Sequence, residues 1–207
     1  RTIEFVARRS GAVPVVAMIP VPVREPADVV GAVVARLGPR TRLLVIDHVT
    51  SPTATIFPAA ELARIARERG VGCLVDGAHA PGMLPLDVAA IGADWYAGNL
   101  HKWCCAPVGA AFLHAAPETP AVHPPVISHF HGEALVEEFA WQGTRDLTPW
   151  LTAPRAIEWL AAAGGRDGWA AVRAANDGLA AEAAGLLADA WGTGTSAPAS
   201  MRGSMAT

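Results

Sequence analysis

Charge is scarce in this chain of 207 residues: 17% of positions are Asp, Glu, Lys or Arg, and the formal net charge is −3. That balance gives no electrostatic footprint for nucleic acid or for an anionic membrane surface. Cysteine is sparse too. There are three, two of them adjacent at Cys104 and Cys105, which is no disulfide framework and suits a reducing cytoplasm. No apolar run approaches the ~20 residues of a membrane span. The nearest, GAVPVVAMIPVPV at 11–23, is short and broken by prolines, and no charged-then-apolar stretch stands at the start. There is no internal repeat, and the one compositional bias is toward alanine.

What the chain has is apolar mass, 52% of its residues, enough for a buried core and too much for disorder. Its alanine share predicts closely packed helices. The length allows one large domain, or one domain plus part of another. Residues 13–19 (VPVVAMI) and 43–47 (LLVID) have the pattern of buried strands, with EPADVVGAVVARLG between them as a helix. FPAAELARIARERG predicts a second helix with Leu62, Ile65 and Ala66 on one face and a stop at Gly70. Then come the strand GCLVD, a short LDVAAIG helix, the strand DWYAG, and VGAAFLHA at 108–115. Strands apolar throughout and separated by helices predict an α/β fold: three layers, with a mostly parallel sheet and helices on both faces. Ligands bind such sheets at the carboxyl ends of the strands. Asp47 and His48, then Asp76, then Asn99 to Lys102 all fall at those ends.

From about residue 116 the character changes. PETPAVHPPVISHFHGE at 117–133 predicts an irregular loop, and two helical stretches follow, the second with Val172, Leu179 and Leu186 at heptad spacing. GTGTSAPAS at 192–200 suggests a turn. The expected division is a large-domain portion over 1–165, then a connecting helix and the start of a truncated small C-terminal domain over 166–207. The opening Arg1 and the closing SMRGSMAT suggest a portion of a longer protein.

Two motifs carry the chemistry, DGAHAPG from Asp76 to Gly82 and GNLHKW from Gly98 to Trp103. An acid that can keep a ring nitrogen protonated, with a primary amine able to form an imine, is the minimum equipment for pyridoxal phosphate chemistry. Lys102 lies in an apolar and aromatic segment, where desolvation favours a free amine; taken alone, it more readily reads as a lysine reaching from a strand end to water. Asp76 precedes glycine and could serve as a turn or helix cap. His79, three residues on, can reach the same loop cavity, or be satisfied by backbone.

Asn99 and His101 bracket the approach to Lys102 and could donate to a phosphate. His48 and Ser51 could orient substrate, although Ser51 and Thr53 also suit a turn capping the next helix. Thr144 and Arg145 form a compact polar turn in WQGTRD, where Asp146 and Thr148 also suit a helix start. Asp47, His48, Asp76, His79 and His101 could together be weighed as a metal site, but they lack a tight pair such as HxH or HExxH and leave Lys102 unused, so no metal is expected.

The stretch from Leu44 to His114 resembles the cofactor-binding core of the class V aminotransferases, which are fold-type-I pyridoxal phosphate enzymes. The matching pattern is an HV turn followed by TIFP, then VDGAHAPG, PLDV, GADWY and the HK pair. GNLHKW with APVGAAFLHA, and later WQGTRDLTPWL, are most similar to the isopenicillin N epimerase-like branch. The resemblance covers roughly residues 10–165. It implies Lys102 as the Schiff-base lysine, Asp76 as partner of the pyridine nitrogen, and His79 at the phenolic oxygen. Asn99 and His101 hold phosphate, Ser51 faces substrate, and Thr144 reaches the phosphate of a neighbouring subunit in a homodimer. Asn99 and Leu100 stand where many members carry serine and glycine.

The implied function is pyridoxal 5′-phosphate chemistry at the α-carbon of an amino acid or amino-acid-containing substrate, epimerase-like. Transamination, or the C–S cleavage of a desulfurase or lyase, is an alternative that uses the same core residues. A catalytically inactive scaffold is a third. The family's phosphate-binding turn and ring-stacking residue lie upstream of Arg1, and its substrate-carboxylate arginine lies in a small C-terminal domain.

Overall fold

The computed structural model describes residues 1–206. Helix α1 (Thr2–Ser10) precedes α2 (Pro26–Val34), whose first turn is closed by Asp28 Oδ2 accepting from the amides of Arg24 and Glu25 at 2.8 and 3.3 Å. Pro26 stands at the start of α2, where its missing N–H costs nothing. The sheet then builds from β1 (Leu43–Asp47), α3 (Ala59–Glu68), β2 (Gly72–Asp76), α4 (Val88–Ile91), β3 (Trp95–Asn99) and β4 (Ala111–Ala115). Its order is β1-β2-β3-β4. The first three strands are parallel and β4 runs antiparallel to β3. The register sets Asp47 opposite Asp76, and Asp76 opposite Ala97, so the strand ends form one edge.

Parallel neighbours need a crossover connection, which α3 and α4 provide. Helix α3 buries Leu62, Ala63 and Ala66 and leaves Ile65 half-buried, so the contact stripe is turned slightly from the expected one. Small residues at 63 and 66 let α3 lie close to the sheet. Its stripe meets Val29 and Val33 of α2 and alternate strand residues Cys73, Val75 and Tyr96 in one core. A fully buried leucine such as Leu62 is stabilised by about 1.5–3 kcal/mol relative to exposure. Asp87 caps α4 by accepting from the Ala90 amide at 3.0 Å, and Asp94 Oδ2 accepts from the Cys73 amide at 2.7 Å, joining β3's entry to β2.

Residues 13–19 form no strand. Val13 and Met18 are 81% and 80% exposed. Pro14 and Pro20 lack the amides a ladder requires, and β1 has β2 as its one partner among the described residues. Leu43 and Val45 on β1 are exposed accordingly.

Beyond the sheet lie α5 (Leu135–Ala140), α6 (Thr148–Ala163) and α7 (Trp169–Trp191). Helix α6 covers the loop between β3 and β4: Ala153 packs on Ala106 and Ala110, and the Trp150 indole donates to Ala111 O at 3.0 Å. The heptad positions Leu179 and Leu186 of α7 face outward, 70% and 65% exposed. The segment after α7 packs back on the body rather than standing free as a turn. Val23 N donates to Ser196 O at 2.9 Å, Ile56 N donates to Met201 O at 2.7 Å, and Ser204 Oγ donates to Asp177 Oδ1 at 2.5 Å.

Candidate active site

Backbone bonds continue the ladder beyond the strands and draw their loops together. His48 N donates to Asp76 O and Gly77 N donates to Ala97 O, both at 2.8 Å. The Asp76 carboxylate is exposed at this edge, and its Oδ1 accepts from Ala78 N at 3.0 Å in a tight turn. Glycine after Asp76 is required by packing: a Cβ at Gly77 would lie 2.0 Å from Tyr96 Cζ. Gly82 closes the same motif at φ +83, where a Cβ would lie 2.6 Å from Trp103 O. The two motifs are therefore two loops folded onto each other.

Lys102, the one lysine of the sequence, stands on the loop between β3 and β4. Ala110 O closes this loop at its neck by accepting from Leu100 N at 2.9 Å and from His101 Nδ1–H at 2.8 Å. Ala106 N donates to Leu100 O at 3.0 Å, and Cys105 N donates to Lys102 O at 3.1 Å. Lys102 Nζ lies 3.0 Å from His79 Nε2, and the Trp103 indole N–H donates to His79 Nδ1 at 3.3 Å. Burial and then the charge of Lys102 push the His79 imidazole below its ordinary value, against a smaller pull from Asp76.

A second polar pair supports this edge from below. His48 Nδ1 meets the Tyr96 hydroxyl at 2.9 Å, with the two rings edge to face. Burial lowers His48, while burial and then the Asp76 charge hold the Tyr96 phenol above its ordinary value. Burial and then Asp76 raise the Asp47 carboxyl as well.

Asp76, His79, Lys102 and His48 thus share one edge. Asn99 ends β3 opposite Ala111, next to this loop. His101 is turned to Ala110 O through Nδ1, which leaves Nε2 as the nitrogen open to a ligand. Ser51 is exposed on a turn held by Thr50 Oγ1 and Thr53 Oγ1 at 2.7 Å; α3 begins later, after Pro58, so this turn caps no helix. Thr144 is exposed before α6, where Asp146 Oδ1 accepts from Thr148 N at 2.9 Å. Among the described residues no hydrogen bond links Ser51 or Thr144 to Asp76, His79 or Lys102. Nor are Asp47, His48, Asp76, His79 and His101 gathered into a group able to hold a metal among the described residues.

Sequence reasoning missed two partners. Tyr96 carries the ring that supports the Asp76 turn, and its buried place in the alternation of β3 was the available signal. The Trp103 indole is a hydrogen-bond donor to His79 and not only apolar surroundings for Lys102.

The donor set is one amine, one carboxylate and two imidazoles, without a metal-type cluster among the described residues, and it suits an aldehyde cofactor with a protonatable ring. Comparison with known proteins agrees. Isopenicillin N epimerase of Streptomyces clavuligerus is 41% identical over 203 residues, which cover 90% of this chain and 50% of that protein. The L-cysteine desulfhydrase of Arabidopsis thaliana is 37% identical over 211 residues, covering 97% of this chain and 46% of that protein. The chain therefore spans about half the length of these relatives. Among solved structures, a cysteine desulfurase of Escherichia coli in its S-sulfonic acid form matches with a TM-score of 0.66 at 22% identity, over 91% of this chain and 47% of that one, which shows the shared fold. A model of the aminotransferase class-V family matches residues 4–201, and the chain belongs to that family of pyridoxal phosphate enzymes.

Proposed function

We propose that this chain carries the cofactor-binding core of a pyridoxal phosphate enzyme that acts at the α-carbon of an amino acid or an amino-acid-containing substrate, with epimerisation as its reaction. The observation that carries the proposal is the 3.0 Å approach of Lys102 Nζ to His79 Nε2 at the strand edge that also bears Asp76.

Lys102 would hold the cofactor and afterwards, as a free amine, move the proton at the substrate's α-carbon. Asp76 would keep the ring nitrogen protonated through charge at short range. His79 would donate to the phenolic oxygen; Asn99 and His101 Nε2 would face the phosphate, joined by Thr144 from a second copy in a homodimer. His48 and Ser51 would face substrate. When bound, the cofactor supplies an electron sink for the carbanion formed at that carbon. Epimerisation requires the proton to return to the opposite face, and the relatives named isopenicillin N epimerase support that outcome.

The desulfhydrase relative, nearly as similar, favours a second reading in which a β-substituent leaves as sulfide. The division into a cofactor domain over 1–165 and the beginning of another over 166–207 is part of the proposal. So is a cytoplasmic location, supported by the free thiols Cys73, Cys104 and Cys105. No helix among the described residues is long and apolar enough to cross a membrane.

The test uses the full-length protein with added pyridoxal phosphate. A visible absorbance band, removed by borohydride with the cofactor's mass fixed on the Lys102 peptide and absent in Lys102→Ala, is expected. A protein that takes up no cofactor overturns the enzymatic reading in favour of a scaffold. In deuterated buffer, α-proton exchange with inversion supports epimerisation, and sulfide release from L-cysteine without inversion supports the lyase.

A further inference from the structure

Gly98 of the second motif lies between two side chains. A Cβ there would fall 2.5 Å from Phe112 Cε1 and Cζ and 3.0 Å from Pro81 Cγ. Phe112 is its cross-strand partner on β4, and Pro81 belongs to the first motif. The Phe112 ring edge therefore takes the place of the missing side chain at 98, and Pro81 meets it there. Two residues earlier on the same face of β3, the Tyr96 ring stacks on that of Phe112, 10° from parallel with centroids 6.2 Å apart. Gly77 lies against Tyr96 in turn. The DGAHAPG loop is thus seated on two rings, at Gly77 on the first and at Pro81 beside the second.

Both rings rise from the legs of one hairpin, β3 and β4, whose connecting loop carries Lys102. The seat of the Asp76 loop is therefore part of the unit that holds the lysine. Gly77 N donates to Ala97 O at 2.8 Å and fixes the start of that loop. Beyond it, among the described residues, no backbone hydrogen bond joins residues 78–82 to the hairpin, so side chains locate the rest.

We infer that Phe112 is a positioning residue: by filling the space over Gly98 between Tyr96 and Pro81, its ring sets the distance between the loop of Asp76 and the loop of Lys102. The inference rests on those two residues being the pair that the cofactor bridges. Pyridoxal phosphate has a flat, rigid ring with its nitrogen and its aldehyde carbon on opposite sides, so it cannot adapt to a wrong spacing. A carboxylate and an amine on separate loops must be held at that spacing in advance. An aliphatic side chain could cover the core at this half-buried position. It would offer neither a face to Tyr96 nor a thin edge over Gly98.

The experiment uses the full-length protein as wild type, Phe112→Leu and Phe112→Met, with Leu62→Ala as a packing loss on α3, outside both loops. Two ligands are titrated: pyridoxal phosphate, and pyridoxine phosphate, whose alcohol in place of the aldehyde cannot bond to Lys102. In the Phe112 variants the affinity for pyridoxal phosphate should fall roughly tenfold, the cost of misplacing one end of a two-point contact, with pyridoxine phosphate unchanged. In Leu62→Ala the two affinities should keep their wild-type ratio. Equal losses for both ligands in the Phe112 variants, or no loss for either, overturn the inference. NMR titration of His79 in cofactor-free protein is a second readout. Its imidazole, held low by burial and then by Lys102, should rise toward the ordinary value in the Phe112 variants and not in Leu62→Ala. A His79 titration like that of wild type also overturns the inference, and Phe112→Met keeps the test decisive if Phe112→Leu unfolds. A wild type that binds neither ligand counts against the proposed function, while the His79 titration still decides the role of Phe112.

Discussion

Gly77 lies against the ring of Tyr96, so close that a Cβ at position 77 would fall 2.0 Å from Tyr96 Cζ and 2.2 Å from Cε1. The turn that aims Asp76 is thereby set on a buried, inflexible platform. Gly77→Ala should destabilise by about 3 kcal/mol or more, the upper range for overpacking against a ring that cannot move. Tyr96→Phe should not rescue it, because ring carbons and not the hydroxyl alone are the obstacle. Urea unfolding of the single and double variants checks this, and restoration by Tyr96→Phe would refute the packing argument.

Tyr96→Phe alone removes the partner of His48 Nδ1, 2.9 Å away. The expected loss is about 1 kcal/mol, the worth of one buried hydrogen bond with its partner left behind. A denaturant midpoint equal to wild type would show that the pair contributes nothing net.

Asp47 gives a pH-dependent prediction. Burial and then Asp76 raise its carboxyl above the ordinary 3.8, so the native state holds that proton to higher pH than the unfolded chain does. Stability from this group is therefore lost as pH rises through the raised value, and the penalty is complete above it. Asp47→Asn should stabilise the protein near about pH 7 and leave it unchanged near about pH 3. Equal shifts at both pH values would contradict the electrostatic cause.

Thiol chemistry should divide the cysteines. Burial pushes Cys73 and Cys104 up to about 11, with Asp94 adding to the first and Cys105 to the second, whereas Cys105 is exposed. An aromatic disulfide reagent at neutral pH should titrate one thiol quickly and the other two only on unfolding. Cys105→Ser should abolish the fast phase; its persistence would mean that Cys73 or Cys104 opens readily.

The strands at 43–47, 72–76 and 95–99 were legible as apolar runs, because a parallel sheet buries consecutive residues and the pattern is local. Asp76, His79 and Lys102 were legible as neighbours because strand-end loops of such a sheet share an edge. Residues 13–19 looked the same by composition, yet a strand exists only beside a partner, and composition does not state which partners are present. Ala63 replaced Ile65 in the buried stripe since closeness to the sheet, not side-chain size, decided the contact. The His48–Tyr96 pair spans 48 positions and the Trp103–His79 bond 24, and no periodicity joins residues at such separations. Those links came from tertiary packing alone.

The loop that carries Lys102 is drawn shut at Ala110, while Pro107, Val108 and Gly109 project into solvent, Val108 with 86% of its surface free. A loop with a tied neck and a loose tip separates inheritance from chemistry. The tip can lengthen, change its residues or accept a grafted peptide across generations or in the laboratory, while the amine a few residues away keeps its address.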